Sequence, residues 1–301
     1  MTDVLPSWRP GATRDALVGF FDAAHDIPPS DRVAVFDNDG TLWCEKPAYP
    51  QLSFYVHELA DAAQRDADLA SRPEYDALLR RDGARIAELG VPRIASALLE
   101  LFVGLSPEEY SRRARRYFAE AAHPTLARPL RSTVYQPMLE LIDALRAHDF
   151  SVFIVSGGGV EFVRSISLDL YGVPPEGVVG SMIAYEQRTV DGAPALVRTA
   201  TLDGPANEGI AKVHAIQQHL GRRPILAAGN SPGDREMIEW AVASTGPTLG
   251  LLIDHDDDVR EMAYESVAGT FHSDERIVDV GRAAGWVVAS MRHDWEAVFP
   301  S

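Results

Sequence analysis

The stretch Val33-Ala34-Val35-Phe36-Asp37-Asn38-Asp39-Gly40-Thr41-Leu42-Trp43 decides the fold of this chain. Its four leading apolar residues include two β-branched valines and predict a buried strand of a parallel sheet, which the polar Asp-Asn-Asp-Gly then ends. Ligands bind at the carboxyl ends of the strands in an open α/β sheet, so the strand brings Asp37 and Asp39 to a ligand-binding edge. Gly40 allows the backbone to turn away from that edge because it has no Cβ atom.

Asp37 and Asp39 are separated by one residue, so both carboxylates can face a single pocket. Two close anions repel each other, and a hard cation between them relieves the repulsion. Mg²⁺ is the natural candidate, because it binds one or two carboxylates together with waters and phosphate oxygens. The alternatives are a solvated turn and a calcium loop, and the spacing of the following residues does not supply the further oxygen ligands of a calcium loop.

Two later stretches repeat the pattern of an apolar strand followed by polar residues. Residues 150–155 predict a second buried strand, which leads into Ser156 and the glycines 157–159. A hydroxyl and free backbone amides ahead of a helix that begins near residue 160 predict a phosphate cradle, and the alternative is an ordinary strand-to-helix turn. A third strand over 224–229 places Asn230 and Asp234 four residues apart at its end.

These motifs, in this order, resemble those of the haloacid dehalogenase (HAD) superfamily. The resemblance implies that Asp37 is a nucleophile and Asp39 a general acid and base, that Ser156 donates to a phosphoryl oxygen, and that Lys212 pairs with the nucleophile. The site residues it implies are the catalytic Asp37, Asp39, Ser156 and Lys212, the phosphate-binding Thr41, Ser156, Gly157, Gly158 and Lys212, and the metal-binding Asp37, Asp39, Asn230 and Asp234.

In the resemblance, Lys212 is the third motif, and the stretch with Asn230 and Asp234 is the fourth. The fourth motif departs from the commonest pattern, because Asn230 stands where many relatives have Asp. An amide oxygen can still coordinate Mg²⁺, although without a negative charge. The sequence leaves open whether Asn230 or Asp234 is the direct metal ligand.

The segment between the first two motifs has helical periodicity and no strand pattern. We expect amphipathic helices over 54–63, 74–89, 94–103 and 107–122. In the resemblance this segment is a helical C1 cap. The expected fold is an α/β, Rossmann-like doubly wound parallel sheet, with a core domain of residues 1–43 and 131–301 and a helical cap domain of residues 44–130. The cap and the Ser-Gly-Gly turn are most similar to the phosphoserine phosphatase branch, although Lys46 beside Glu45 departs from that branch's substrate-binding pattern.

A hairpin is predicted over 178–201, with its turn at Asp191-Gly192. We expect it to extend the core sheet. A further strand over 249–253 ends in an acidic cluster that includes His255, for which a solvated strand end is the simpler interpretation. Aromatic and basic side chains of the insert, among them Trp43, Tyr49, Phe54 and Arg116, are candidates for the pocket wall.

Composition restricts the partners. The 301 residues carry a formal charge of −16, which repels nucleic acid and anionic membranes, whereas a small anionic substrate can bind where a cation offsets the field. No bilayer-spanning run or signal peptide is recognisable, so we expect a cytoplasmic protein. The single cysteine, Cys44, excludes an internal disulfide and lacks a local base to activate it. The oligomeric state is left open.

The predicted function is Mg²⁺-dependent hydrolysis of a small phosphorylated metabolite, a phosphomonoester, through an aspartyl-phosphate on Asp37. Asp39 argues against dehalogenation, because a departing halide needs no proton donor. A phosphotransferase or phosphomutase uses the same residues and is the first alternative. A non-catalytic protein that binds phosphometabolites is the second, and the intact Asp37, Asp39 and Lys212 argue against it.

Overall fold

A six-stranded, all-parallel sheet forms the centre of the computed structural model, which describes residues 4–301. The strand order across the sheet is β3-β2-β1-β6-β7-β8. The strands are β1 (Val33–Phe36), β2 (Ser151–Gly159), β3 (Val178–Ser181), β6 (Leu226–Gly229), β7 (Leu249–Asp254) and β8 (Val287–Ser290). The expected α/β doubly wound fold is confirmed.

Alternating residues of the first strand supply the two apolar layers that flank the sheet. Val33 and Val35 belong to one buried cluster, and Ala34 and Phe36 belong to the other. This alternation follows from the period of two in a strand. The first cluster takes residues from α10 (Ile210–Leu220), α11 (Arg235–Val242) and α12 (Ile277–Ala283), and the second from α1 (Ala12–Ala23), α8 (Gln136–Ala147) and α9 (Val160–Tyr171).

Six α-helices lie between β1 and α8, where the periodicity predicts four, and none of this segment forms a strand of either sheet. They are α2 (Pro50–Arg65), α3 (Ala67–Ala70), α4 (Pro73–Leu79), α5 (Gly83–Leu89), α6 (Val91–Glu100) and α7 (Pro107–Glu120). The division into a core domain and a cap domain with boundaries at 43 and 130 stays a prediction.

The expectation of one helix over 74–89 is wrong, because the chain breaks between α4 and α5. Arg81 adopts a left-handed conformation with φ of 55°, and the Asp82 side chain then accepts a hydrogen bond from the backbone N–H of Arg85 at 3.0 Å. Asp is a favoured N-cap residue, so the local capping starts a new helix and overrides the apolar periodicity.

The hairpin of β4 (Ile183–Val190) and β5 (Ala193–Leu202) forms, with positive φ at Asp191 and Gly192. The expectation that the segment extends the core sheet holds for residues 178–181, which form the edge strand β3. It is wrong for β4 and β5, which make a separate two-stranded antiparallel sheet. Its backbone bonds to the helical insert instead: the N–H of Arg198 donates to Leu105 O and the N–H of Gly104 donates to Arg198 O, both at 2.9 Å. Most of β4 is exposed.

The C-terminal segment supplies the edge strand β8 of the sheet. The short helix α13 (Met291–Asp294) follows it, and the next residue, Trp295, is fully buried. Across residues 4–301, none of the helices is both long enough and apolar enough to span a bilayer.

Candidate active site

Three neighbouring strand ends bring the predicted motifs together. Phe36 of β1 lies beside Ile154 of β2 on one side and Ala228 of β6 on the other. The chain winds outward from β1 through β2 and β3 and returns through β6, so the strand order reverses between β1 and β6. Such a reversal opens a crevice at the carboxyl edge, which is where an α/β sheet binds ligands.

Lys212 joins the first and fourth motifs. It lies in the first turn of α10, and its Nζ donates to Asp37 Oδ1 and to Asp234 Oδ1, both at 2.6 Å. Lys212 is only 2% exposed. Asp234 Oδ2 accepts from the backbone N–H groups of Asn230 and Ser231 at 3.0 and 2.9 Å and from the Ser231 hydroxyl at 3.1 Å. Both oxygens of Asp234 are therefore occupied, and the residue holds Lys212 in place.

The electrostatics of this group follow from its burial. Burial and the nearby Asp234 carboxylate raise the pKa of Asp37 well above its ordinary value, and Lys212 opposes them. Burial alone would lower the pKa of Lys212, but Asp234 and Asp37 raise it, so the lysine is charged. One lysine thus faces two buried carboxylates, and the arrangement favours an additional cation.

Asp39 has one oxygen held and one available. The indole Nε1–H of Trp43 donates to Asp39 Oδ1 at 2.8 Å, whereas Oδ2 has only a long contact of 3.5 Å from Asn38 Nδ2. Burial raises the pKa of Asp39 to about 6, an effect that the Trp43 hydrogen bond reduces and the Glu45 charge increases. An acid with this pKa can give up and take back a proton near neutral pH.

Asn230 is held between the first motif and the insert. Its Oδ1 accepts from the Thr41 hydroxyl at 3.3 Å, and its Nδ2 donates to Glu45 Oε1 at 3.3 Å and to Ser266 Oγ at 3.2 Å. Gly40 has a φ of 76°, and a Cβ atom there would lie 2.0 Å from Asn230 Nδ2. The turn of the first motif therefore packs directly against Asn230, which requires glycine.

The glycine run, residues 157–159 at the end of β2, forms a wall opposite Asp39. The N–H of Gly158 donates to Ser156 Oγ at 3.0 Å, and a Cβ atom at Gly158 would lie 3.7 Å from Asp39 Oδ2. The N–H of Gly159 donates to Gln51 Oε1 of α2 at 2.9 Å. Asn207 Nδ2 supports the strand from behind, donating to Ser156 O at 2.9 Å.

A cavity of about 350 Å³ opens above these groups. Its walls include predicted residues from all four motifs, namely Asp37, Asp39, Gly157, Gly158, Lys212 and Asn230. Thr41, Ser156 and Asp234 are fully buried behind this wall, and a direct phosphate or metal contact from any of them stays a prediction. Of the candidates from the insert, Tyr49 lines the cavity, Trp43 and Phe54 are buried in the core, and Arg116 is exposed.

The comparison with protein families agrees with this geometry. The family model described as haloacid dehalogenase-like hydrolase matches residues 34–239, which is more than half of the chain. The chain belongs to this family. No curated protein matches the sequence.

Solved structures of this hydrolase fold are similar over most of their length. A conserved protein of unknown function from Anaerococcus prevotii DSM 20548 is 14% identical, with a TM-score of 0.58 over 85% of this chain and 89% of that chain. A protein of unknown function from Bordetella pertussis Tohama I is 18% identical, with a TM-score of 0.50 over 85% and 97%. A probable phosphoserine phosphatase from Vibrio cholerae is 14% identical, with a TM-score of 0.42 over 82% and 63%. The likeness of the first two structures shows the fold.

Three supporting side chains are not predicted by the motifs. The position of Trp43 at the end of the first motif could have suggested a role in the site. Its hydrogen bond to Asp39 could not be predicted, because it depends on the conformation of the turn. Gln51 has no sequence signal. His255, expected at a solvated strand end, is buried instead: its Nε2 contacts Gly40 O at 2.8 Å and its Nδ1 contacts Glu261 Oε2 at 3.1 Å. Both ring nitrogens face oxygen atoms, and through these contacts His255 supports the first-motif turn.

Proposed function

We propose that this HAD-family hydrolase is a Mg²⁺-dependent phosphatase that hydrolyses a small phosphomonoester through an aspartyl-phosphate on Asp37. The observation that carries the proposal is the pair of aspartates at the end of β1, with one oxygen of each held and the other available. Asp37 Oδ1 is bound to Lys212 and Asp39 Oδ1 to Trp43, which leaves the Oδ2 atoms for chemistry.

The residues divide the reaction into two displacements. Asp37 Oδ2 attacks phosphorus, while Asp39 gives its proton to the departing alkoxide. In the second step Asp39 removes a proton from water, which attacks the aspartyl-phosphate and releases inorganic phosphate. Lys212 offsets the negative charge on the phosphoryl oxygens, the charge that matters most in such transfers. The N–H groups of Gly158 and Gly159 would contribute only by exchanging their bonds to Ser156 and Gln51 for bonds to the phosphoryl group.

The donor set fits Mg²⁺ in its chemistry. The Asp37 carboxylate and a second lone pair of Asn230 Oδ1 are hard oxygen ligands from residues that line the cavity, and Asp39 would add its backbone carbonyl oxygen, so that its carboxyl group keeps its role in proton transfer. Asp234 is fully buried behind the cavity wall. Within residues 4–301 no cluster of three His, Cys, Asp or Glu side chains is arranged to hold a metal by itself, which suits an ion that keeps several waters and phosphate oxygens. Bound there, Mg²⁺ would neutralise phosphoryl charge and orient the ester for in-line attack. We therefore assign Asn230 as the direct ligand from the fourth motif.

Phosphate release from a panel of phosphomonoesters, with and without Mg²⁺, tests the proposal. Asp37→Asn is expected to abolish release. Asp39→Asn is expected to lower kcat on alkyl phosphates by about 10²–10⁴-fold and to lower it less on p-nitrophenyl phosphate, whose leaving group needs little protonation. Asp254→Asn is the matched control, because Asp254 ends another strand of the same sheet and pairs with Arg282 outside the cavity.

Acid-quenched mass spectrometry adds a second readout, because the native protein should carry one phosphoryl group on Asp37 during turnover. Release that persists in Asp37→Asn would refute the nucleophile. Phosphoryl transfer to an added alcohol or sugar in preference to water would favour a phosphotransferase or phosphomutase. Binding of phosphorylated ligands without any turnover would favour the non-catalytic alternative.

A further inference from the structure

Outside the four motifs, the cavity is lined mainly by apolar and aromatic side chains. Helices α2, α6 and α7 and both strands of the hairpin contribute them. Six of these residues, which we call the apolar wall, are Leu52, Tyr55, Leu98, Tyr110, Ile183 and Leu202. The phosphoryl chemistry proposed above uses none of them.

The polar atoms around the apolar wall already bond to one another. Gln51 Nε2 donates to Tyr55 OH at 2.8 Å, and Tyr55 OH lies 3.2 Å from Tyr110 OH. The Ser181 hydroxyl, which also lines the cavity, donates to Gly157 O at 2.7 Å. These groups therefore offer a substrate little further hydrogen bonding, and the wall presents hydrocarbon and ring surface.

The charged side chains beside the apolar wall also have partners. Arg198 pairs with Glu161, and Glu208 accepts from both the N–H and the hydroxyl of Thr270. Among the described residues, Arg198 and Lys212 are the only basic side chains that line the cavity, and Lys212 is held between two aspartates. A second anionic group on a substrate would lose its hydration here without gaining an unpaired cation.

A cationic leaving group is the alternative, because acidic side chains outnumber basic ones in the cavity lining. The carboxylates of Glu161 and Glu208 already have partners. Glu45 lies at the phosphoryl end of the cavity, where Asn230 Nδ2 donates to it. An ammonium group at the apolar wall would therefore meet only carboxylates that are already bonded.

Three apolar side chains that line the cavity are exposed to solvent. Tyr49 is 37% exposed, Leu202 42% and Val267 62%. They come from segments that are far apart in the chain, namely the residue before α2, the end of β5 and the connection between β7 and α12. Exposed apolar side chains that gather at one cavity are typical of a binding site for an apolar group.

We propose that the apolar wall selects a phosphomonoester whose leaving group is an uncharged, apolar alcohol. The phosphoryl group would lie at Asp37 and Lys212, and the hydrocarbon body of the alcohol would cover the apolar wall and remove its surface from water. This assignment rests on the proposed phosphatase function and adds the chemical class of its substrate. Phosphoserine, which carries an ammonium and a carboxylate, would be a poor substrate.

Three phosphomonoesters of matched shape test the assignment. Neohexyl phosphate has an uncharged leaving group, phosphocholine has a quaternary nitrogen in place of its quaternary carbon, and a third ester has a carboxylate in place of one terminal methyl group. The set is repeated at several alkyl lengths, and the comparison is made at the length with the highest kcat/KM for the uncharged ester.

With Mg²⁺ present, kcat/KM should be at least about tenfold higher for the uncharged ester than for either charged one, because a charge without a partner is costly to bury. Equal values for the three esters, or a higher value for a charged one, would overturn the assignment.

Leu202→Lys tests where the leaving group lies. It places a cation beside the apolar wall at an exposed position, so folding should be preserved. The variant should raise kcat/KM for the carboxylate ester relative to the uncharged ester by at least about threefold. Leu196→Lys is the matched control, because Leu196 is on the same strand, is 51% exposed and does not line the cavity. An unchanged ratio in Leu202→Lys, or an equal change in Leu196→Lys, would overturn the assignment.

Calorimetry with phosphonates that carry the same three end groups separates this assignment from the proposed function. Hydrolysis without a preference for the uncharged ester leaves the phosphatase standing and refutes the selection. Tighter binding of the uncharged phosphonate but no hydrolysis of any ester supports the selection and refutes the phosphatase. Absence of both refutes both.

Discussion

Lys212 shows how strongly a single residue determines this site. The chain contains only two lysines, and this one is buried between Asp37 and Asp234 with equal distances of 2.6 Å. Its removal leaves two buried carboxylates without their counterion. Removing one partner of a buried ion pair lowers the free energy of unfolding by more than the pair itself contributes to it, because the other partner is left buried and uncompensated.

Lys212→Met is therefore expected to lower the free energy of unfolding by about 3–5 kcal/mol at neutral pH, measured by urea denaturation, and to abolish turnover. The deficit should shrink in acid, where Asp37 becomes protonated. Lys46→Met is the stability control, since Lys46 is partly exposed and should change little. An unchanged denaturation midpoint in Lys212→Met would contradict the buried pair.

Asn230 gives a second prediction at the same scale. Its amide donates to Glu45, so Asn230→Asp replaces a buried donor by a carboxylate that faces another carboxylate. Without Mg²⁺, the free energy of unfolding of the variant should be lower than that of the native protein by on the order of 1–3 kcal/mol. Adding Mg²⁺ should stabilise the variant more than it stabilises the native protein. Melting temperatures with and without Mg²⁺ measure both effects. An equal Mg²⁺ response in the two proteins would argue against Asn230 as a metal ligand.

The turn after β6 is the element that holds this arrangement. A Cβ atom at Gly229 would lie 2.4 Å from Cβ of Asp234, whose side chain is bonded to the backbone of the same turn and to Lys212. The strand and the turn therefore approach so closely that only glycine fits, and the position of the lysine depends on that approach.

Gly229→Ala is expected to cost about 1–3 kcal/mol of unfolding free energy and to lower kcat, since Asp234 must move. Gly19→Ala is the matched control: Gly19 lies within α1 with open space around its missing Cβ, and alanine there should stabilise the protein by about 0.5–1 kcal/mol. Native-like activity in Gly229→Ala would show that Asp234 does not depend on this close approach.

For the whole molecule, the C-terminal segment supports the first motif through buried polar contacts. Glu261 accepts from Tyr135 OH at 2.6 Å and pairs with His255, which contacts the carbonyl of Gly40. Segments distant in sequence are thereby joined beneath the site. Burial acts to raise the pKa of Glu261, but His255 and Tyr135 hold it below its ordinary value.

A carboxyl group with a lowered pKa stabilises the fold above its unfolded-state pKa, and that stabilisation is lost as pH falls through the folded-state value. The difference in unfolding free energy between the native protein and Glu261→Gln should therefore be greatest near neutral pH and shrink below about pH 4.5, the ordinary value for this group. Urea denaturation across this range measures it. Glu265→Gln, at an exposed position nearby, is the control. A constant difference for Glu261→Gln across this range would contradict the pairing.

Local pattern determined much of this protein. Apolar runs that end in polar residues predicted strands β1, β2 and β6 and the motif residues at their ends. Such a prediction is possible because about ten consecutive residues determine both that a strand is buried and where it ends. Parallel strands share one carboxyl edge, so the convergence of Asp37, the glycine run and Asn230 followed from the fold class. The family resemblance supplied the place of Lys212.

Tertiary structure decided the remaining features, because they depend on distances between segments far apart in the chain. The backbone of the hairpin forms hydrogen bonds with Gly104 and Leu105 of the insert and not with the core sheet. Strand propensity does not determine which of these partners a strand will have. His255 is buried because Gly40 and Glu261 offer acceptors on both sides of its ring. Glu161 and Arg198 meet because β5 and α9 both pack against α7 of the helical insert. Such pairing between distant segments has no periodicity that a sequence could reveal.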